Sequence, residues 1–231
     1  MITNEIQSLF DNAQKIVFLT GAGVSTASGI PDYWSKNGIY NGVTKSPEYL
    51  LSTQALKNEP EKMYQFMMEN MYFPDAKPNI IHQKMASLTQ SGQANIITQN
   101  VDQLDDKAGA KNVIYYHGSL YDIYGVKSHT QSNYDYYKDN MYLPDGEMLR
   151  PGITLYGEMP PYTKQAALEV HDADLIVIVG TSFVVYPFAA LLNYANNTTP
   201  IISINLEQIP APINVQQIIG DATEFFDELK I

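Results

Sequence analysis

Four histidines and no cysteine bound what the side chains of this chain can do chemically. Without cysteine, thiol nucleophiles, disulfides and cysteine-ligated zinc are excluded together. His117 stands at the end of the run Val113-Ile114-Tyr115-Tyr116 and is followed by Gly118. An imidazole titrates near neutrality and can serve as a general base. A strand-end histidine satisfied by a backbone carbonyl would look the same in sequence. His82, His129 and His171 lie in helical or polar contexts and read as ordinary. Gln99-Asn100-Val101-Asp102 follows a second apolar run. Its carboxylate can accept an amide N–H, or it can cap a helix and complement the dipole there. The string GAGVSTASGIPDYW, Gly21 to Trp34, follows a third apolar run. A strand that breaks into small residues and turns toward a helix exposes N–H groups able to hold a pyrophosphate, although tight strand-to-helix turns also use glycine. Arg150 is the only arginine. A forked arginine clamp on a diphosphate is therefore not expected, and phosphate binding falls to backbone amides, hydroxyls such as Thr181 and Ser182, and helix N-termini.

Elements must bring these separated groups together. Apolar runs bounded by turn signals recur at 16–20, 95–99, 113–117, 153–156, 175–180 and 200–205, with helix-like segments between them, for example 80–91 and 162–171. That alternation predicts an α/β fold: a doubly wound, mainly parallel, Rossmann-like sheet with helices on both faces. Ligands on such sheets sit beyond the carboxyl ends of the strands. Gly21, Asn100, His117 and Gly180 all fall at or just past such ends. Two stretches interrupt the pattern. Residues 33–78 are helix-prone and rich in Met and aromatic residues; residues 120–149 are polar, with tyrosines at 121, 124, 134, 136, 137 and 142.

At 231 residues the chain has the size of one large domain, or of one domain with an insertion. Its 25 acidic and 14 basic residues give a formal charge of −11. Such a surface argues against nucleic acid or an anionic membrane as direct partners and tolerates a cationic, lysine-bearing peptide. The N-terminus is polar and amphipathic rather than a signal peptide, and no apolar run approaches membrane-spanning length. The expected compartment is the cytoplasm.

The string Ser28-Gly29-Ile30-Pro31-Asp32-Tyr33 resembles the sirtuin family of NAD-dependent protein deacylases. Further segments match that family in order: TQNVDQL (98–104), Ala108-Gly109, YHGSL (116–120), RPGITLYGE (150–158), GTSFVVYP (180–187) and Asn205 within ISINLE. The resemblance implies NAD as cofactor and an acyl-lysine protein or peptide as substrate. It implies a Rossmann-like domain of residues 1–32, 79–119 and 150–231, and a small domain formed by the two insertions 33–78 and 120–149, with the ligands between. Catalytic roles fall on His117 and Asn100. In the family the histidine takes a proton from a ribose hydroxyl after the acyl oxygen has displaced nicotinamide. Cofactor-binding positions are matched by Gly21, Ala22, Gly23, Thr26, Ile30, Asp32, Tyr33, Trp34, Gln99, Asn100, Val101, Asp102, Gly180, Thr181, Ser182, Asn205, Asp221 and Ala222. Substrate positions are matched by Ile153, Leu155, Tyr156, Gly157, Glu158, Val184 and Val185, with the peptide adding as a strand along 153–158.

The chain departs from the family in places. Tyr33 stands for the usual phenylalanine, and Trp34 for the usual arginine, which removes a charge and a forked donor. Two CxxC pairs that usually bind zinc in the second insertion are missing. No metal is expected, and aromatic packing is expected to replace part of what zinc supplies. Tyr64-x-x-Met67 lacks the arginine found at a similar spacing in sirtuins that take acidic acyl groups, so neutral apolar acyl groups are expected. Three readings follow: deacylation; ADP-ribosyl transfer or NAD hydrolysis, in which another nucleophile or water captures the activated ribose; and a catalytically silent NAD-binding sensor.

Overall fold

The computed structural model describes residues 2–32, 38–39, 46–212 and 214–231. Its elements run α1 (Asn4–Asn12), β1 (Ile16–Thr20), α2 (Pro47–Leu50), α3 (Thr53–Asn58), α4 (Pro60–Asn70), α5 (Ile80–Gln90), β2 (Ala94–Thr98), α6 (Leu104–Lys107), β3 (Val113–Tyr115), β4 (Gly118–Gly125), β5 (Gln131–Ser132), α7 (Tyr134–Tyr137), β6 (Leu149–Ile153), α8 (Thr163–His171), β7 (Leu175–Val179), β8 (Ile201–Asn205), β9 (Val215–Ile219) and α9 (Ala222–Glu228). Short 3₁₀ turns cover Ala22–Val24, Thr26–Ser28 and Phe188–Tyr194.

The main sheet has six strands in the order β3-β2-β1-β7-β8-β9, and every pairing is parallel. β1, β7 and β8 are buried along their whole length. That requires cover on both faces, and strand periodicity divides the side chains between them. Ile16 and Phe18 of β1, with Val177 and Val179 of β7, face Phe10 of α1, Met85 of α5 and Phe225 and Phe226 of α9. Val17 and Leu19, with Ile176 and Ile178, face Ala166 and Val170 of α8 and Phe188 and Leu191 of the third 3₁₀ turn. The sheet is doubly wound. Its strand order reverses between β1 and β7, which places the ligand crevice at their carboxyl ends.

Both insertions contribute to a third core. Met63, Phe66 and Met67 of α4 pack with Tyr72, with Leu120 and Ile123 of β4, with Tyr137 of α7 and with Leu149 of β6. The tyrosines form a contiguous cluster. Tyr72 stacks on Tyr134 at 4.8 Å between ring centroids and meets Tyr121 edge-on at 5.5 Å, and Tyr64 meets Tyr137 edge-on at 5.1 Å. Their hydroxyls cross from one insertion to the other. Tyr64 donates to the carbonyls of Tyr137 and Lys138, at 2.7 and 2.9 Å, and Tyr72 to that of Leu120 at 2.7 Å. Among the described residues no three His, Asp or Glu side chains are grouped to hold a metal ion.

One expectation needs correction, and one strand was missed. The run 153–156 is not a strand of the main sheet. β6 ends at Ile153 and belongs to a three-stranded antiparallel sheet ordered β5-β4-β6. Beyond it the backbone N–H groups point to separate acceptors: Thr154 to the His117 carbonyl, Leu155 to the Glu158 carboxylate and Tyr156 to the Leu51 carbonyl. β9 also went unpredicted, because Gln216 and Gln217 interrupt the apolar pattern of an edge strand. No helix among the described residues is long and apolar enough to cross a membrane.

Candidate active site

The glycine loop leaves β1 at the crevice. An added Cβ on Gly21 would lie 2.7 Å from Cβ of Thr181, and one on Gly23 2.8 Å from Cα of Gly180. Gly180 has φ +60, and a Cβ there would come within 2.5 Å of the Val24 nitrogen. Only glycine fits at these three points, where the loops after β1 and β7 meet backbone to backbone. The amides of Gly21 and Gly23 donate to the carbonyls of Val179 and Gly180, at 3.2 and 2.8 Å. The glycines thus secure close packing rather than display their own N–H groups. Among the described residues the amides of Ala22 and Ser182 donate no hydrogen bond; these N–H groups are open to an anion.

β2 delivers the second cluster. The Asn100 amide donates to the Thr98 hydroxyl at 3.0 Å, and its side-chain Nδ2 donates to the Gly21 carbonyl at 3.1 Å and to Ser25 Oγ at 3.2 Å. Ser25 in turn donates to Asp102 Oδ2 at 2.6 Å. The other carboxylate oxygen of Asp102 accepts from the Leu104 amide at 2.9 Å. Burial pushes the Asp102 pKa up, and the bonds from Ser25 and Leu104, made to the ionised form, hold that rise back. Asp102 thus closes a local turn onto Leu104 rather than capping the helix, since the N-cap of α6 is Gln103, with no side-chain cap bond; the same carboxylate lines an apolar pocket with Ala22, Ile30, Pro31, Val101, Met71 and Leu120.

His117 follows β3. Burial lowers its pKa, partly opposed by a hydrogen bond from the ring to the Gln99 carbonyl. Its ring lies 5.2 Å from that of Tyr116 and 6.5 Å from that of Phe188. The next residue, Gly118, has φ +80 and would drive a Cβ to 1.8 Å from the Gly152 carbonyl oxygen. Glycine after the histidine is thus a geometric requirement of the crossing from the main sheet into β4.

The next part of the crevice is built by β7 and β8. Gln99 Nε2 donates to Thr181 Oγ1 at 3.0 Å, and the Thr181 amide donates to Asn205 Oδ1 at 2.8 Å. Asn205 Nδ2 is buried with no partner among the described residues of the protein, an unsatisfied donor. Ser182 is exposed beside them. Asp221 caps α9, its Oδ1 accepting from the Thr223 amide at 2.8 Å, with Ala222 as the first helical residue. Thr26 is exposed, and its hydroxyl closes the loop onto the Gly23 carbonyl at 2.9 Å. The Asp32 carbonyl accepts from the Ile39 amide at 2.8 Å. Tyr33 and Trp34 lie outside the described residues.

On the opposite rim, Ile153 and Leu155 are buried, whereas Tyr156, Gly157 and Val184 are exposed and Val185 is half-buried. Arg150 is buried and grips both carboxylate oxygens of Glu158, at 2.7 and 3.1 Å, and the Ile153 carbonyl at 2.7 Å. The only guanidinium is a structural brace, its donors taken by Glu158 and by the Pro151 and Ile153 carbonyls. Ser25 was missed in the sequence because a serine in a glycine-rich turn carries no distinguishing signal; it joins Asn100 to Asp102 across a long stretch of chain.

A cofactor of the NAD type fits these residues: a glycine-lined cleft at the switch point, two open amides, an orphaned amide donor at Asn205 and a carboxylate-lined pocket. Comparison with known proteins agrees. The Sir2 family model matches residues 21–187. The NAD-dependent protein deacetylase of Listeria monocytogenes serotype 4b (strain F2365) is 47% identical over 229 residues, covering 98% of this chain and 100% of the relative. That of Staphylococcus aureus (strain Mu50) is 37% identical, covering 94% and 92%. A Sir2 variant solved with a deacetylated p53 peptide and 3'-O-acetyl-ADP-ribose superposes with a TM-score of 0.89 at 30% identity, over 98% of this chain and 96% of that one. A Sir2 homologue bound to ADP-ribose gives 0.88 at 34% identity, over 99% and 95%.

Proposed function

The chain belongs to the Sir2 family, and on that footing we propose that it is an NAD-dependent protein-lysine deacylase that removes acetyl or longer apolar acyl groups and yields nicotinamide and O-acyl-ADP-ribose. The observation that carries this reading is the convergence of His117, Asn100 and the Ser25–Asp102 pair at the carboxyl ends of adjoining strands, beside the glycine loop. The activity named for the relatives and the acetyl-ADP-ribose held by the Sir2 variant support it.

Bound NAD supplies an electrophilic ribose carbon and the departing nicotinamide. The lowered pKa keeps His117 neutral at pH 7, so it can take a proton from a ribose hydroxyl, and the Gln99 carbonyl steadies the cation that results. Asp102 would accept from the nicotinamide carboxamide, and Asn100, tied by Nδ2 to Gly21 and Ser25, lines the same pocket. Ala22, Ser182 and Asn205 would hold the diphosphate and adenosine half, with Gln99 on the ribose. The peptide lies against Tyr156–Glu158 and Val184–Val185, between the Rossmann-like domain and the small domain of residues 33–78 and 120–149. Met67 lies in the apolar small-domain core and the Tyr64 hydroxyl is engaged by Tyr137 and Lys138, so neither offers a cation to an acidic acyl group. A charge of −11 supports a cytoplasmic protein that binds neither nucleic acid nor anionic membrane directly.

The test is incubation with NAD and peptides of one sequence carrying acetyl, butyryl, longer acyl or succinyl lysine, with mass analysis of every product. Free lysine with O-acyl-ADP-ribose, and lowest efficiency on succinyl-lysine, is the expected result. Nicotinamide release without free lysine would instead indicate ADP-ribosyl transfer or NAD hydrolysis. Binding without turnover would indicate a sensor.

A further inference from the structure

Asn79 is the N-cap of α5, its Oδ1 accepting from the Ile81 amide at 2.9 Å. The other end of the same side chain faces the glycine loop. Nδ2 donates to the Val24 carbonyl at 2.8 Å and to Ser28 Oγ at 2.9 Å. The turn from Val24 to Ser28 is therefore held on one side by Asn79 and on the other by Gly180, whose backbone presses against Val24 and Gly23. Ser25 lies inside that clamp and donates to Asp102. The strap leading to Asn79 is itself fixed, because Lys107 Nζ donates to the carbonyls of Pro74 and Ala76, at 3.0 and 3.3 Å.

We propose that Asn79 is a positioning residue for the cofactor loop: its amide nitrogen fixes the Val24–Ser28 turn so that Ser25 meets Asp102 and Asn100 in register. This rests on the reading of the crevice as an NAD site. The two jobs of Asn79 separate chemically. Aspartate and serine cap helices about as well as asparagine. Neither has an amide donor, and serine is too short to reach Val24.

Asn79→Asp and Asn79→Ser are compared with wild type in three measurements: hydrogen exchange of the 22–30 amides in the free protein, NAD affinity by calorimetry, and KM for NAD and for peptide separately. A neutral hydrogen bond is worth about tenfold in an equilibrium. The expected result is faster exchange in the loop, about tenfold weaker NAD binding, a matching rise in KM for NAD and an unchanged KM for peptide, with Asn79→Ser melting close to wild type. Faster exchange with unchanged NAD affinity would show a clamp that does not serve the cofactor and would overturn the proposal. Unchanged exchange and affinity would overturn it as well. Wild-type protein that binds no NAD would remove the reading of the crevice itself, an outcome separable from failure of the clamp because the exchange data are taken on free protein.

Discussion

A half-buried imidazole that stays neutral is a base ready for use, and that is the state the surroundings of His117 impose. Burial lowers its pKa, and the Gln99 carbonyl only partly restores it. His117→Ala is expected to reduce deacylation by about 10²–10⁴-fold while calorimetry still detects NAD, because the proposed docking rests on the loop after β1 and on Asn205. In wild type the acid limb of kcat/KM should fall below the ordinary histidine value, since the neutral form persists to lower pH. An acid limb at or above 6.5 would contradict that environment. At this scale the sequence was legible wherever a residue sits in a distinctive string. His117 before glycine, Asn100 and Asp102 after a strand, and the glycines at 21 and 23 were all visible. Ser25 and Asn79 were not, because their roles exist only through partners distant in the chain.

The strands that carry the site were legible for a physical reason: β1, β7 and β8 are covered on both faces, so they read as unbroken apolar runs. β9 at the sheet edge lacks that pressure, and β6 pairs with β4 through contacts no local pattern announces. α5 carries a further consequence. His82 closes the capping box with Asn79 but is buried, with Nε2 unpartnered, and burial lowers its pKa from 6.5 to about 4. Between those values the unfolded chain takes up a proton that the folded chain refuses. The contribution to stability is complete above 6.5 and is lost as pH falls toward 4, at about 1.4 kcal/mol per pH unit, or about 3 kcal/mol in all. Asp105, buried and raised to about 8, tilts the other way, losing stability as pH rises from 3.8. The two slopes oppose, so the difference between variants is the clean measure. Glutamine at the third helical position preserves a capping box. Urea unfolding of His82→Gln should show a stability relative to wild type that grows as pH drops from 6.5 to 4; a constant difference would mean that His82 does not titrate this way.

For the whole molecule, the two insertions fold onto one another through a core of methionines and tyrosines. Their expected role in the fold was legible only by resemblance; their actual means of cohesion was not, since six tyrosines in a polar stretch say little until rings and carbonyls are seen to pair across the insertions. Chelator should leave the melting temperature unchanged, and elemental analysis of untagged protein should find no stoichiometric zinc. Zinc at one equivalent, with melting on chelation, would point to His129 as a ligand and displace this account. The tyrosine cluster also changes what can damage the protein. A module held by thiolates fails when peroxide oxidises them, because each sulfur lost to sulfenic or sulfinic acid is a ligand lost. This chain has no thiol at all, and the only sulfurs within 120–149 are the thioethers of Met141 and Met148. The second insertion has no thiolate ligand to lose, and the sulfurs of the core it shares with the first insertion, such as Met63 and Met67, are buried thioethers, so it should keep its shape under mild oxidation that would dismantle a cysteine-built counterpart.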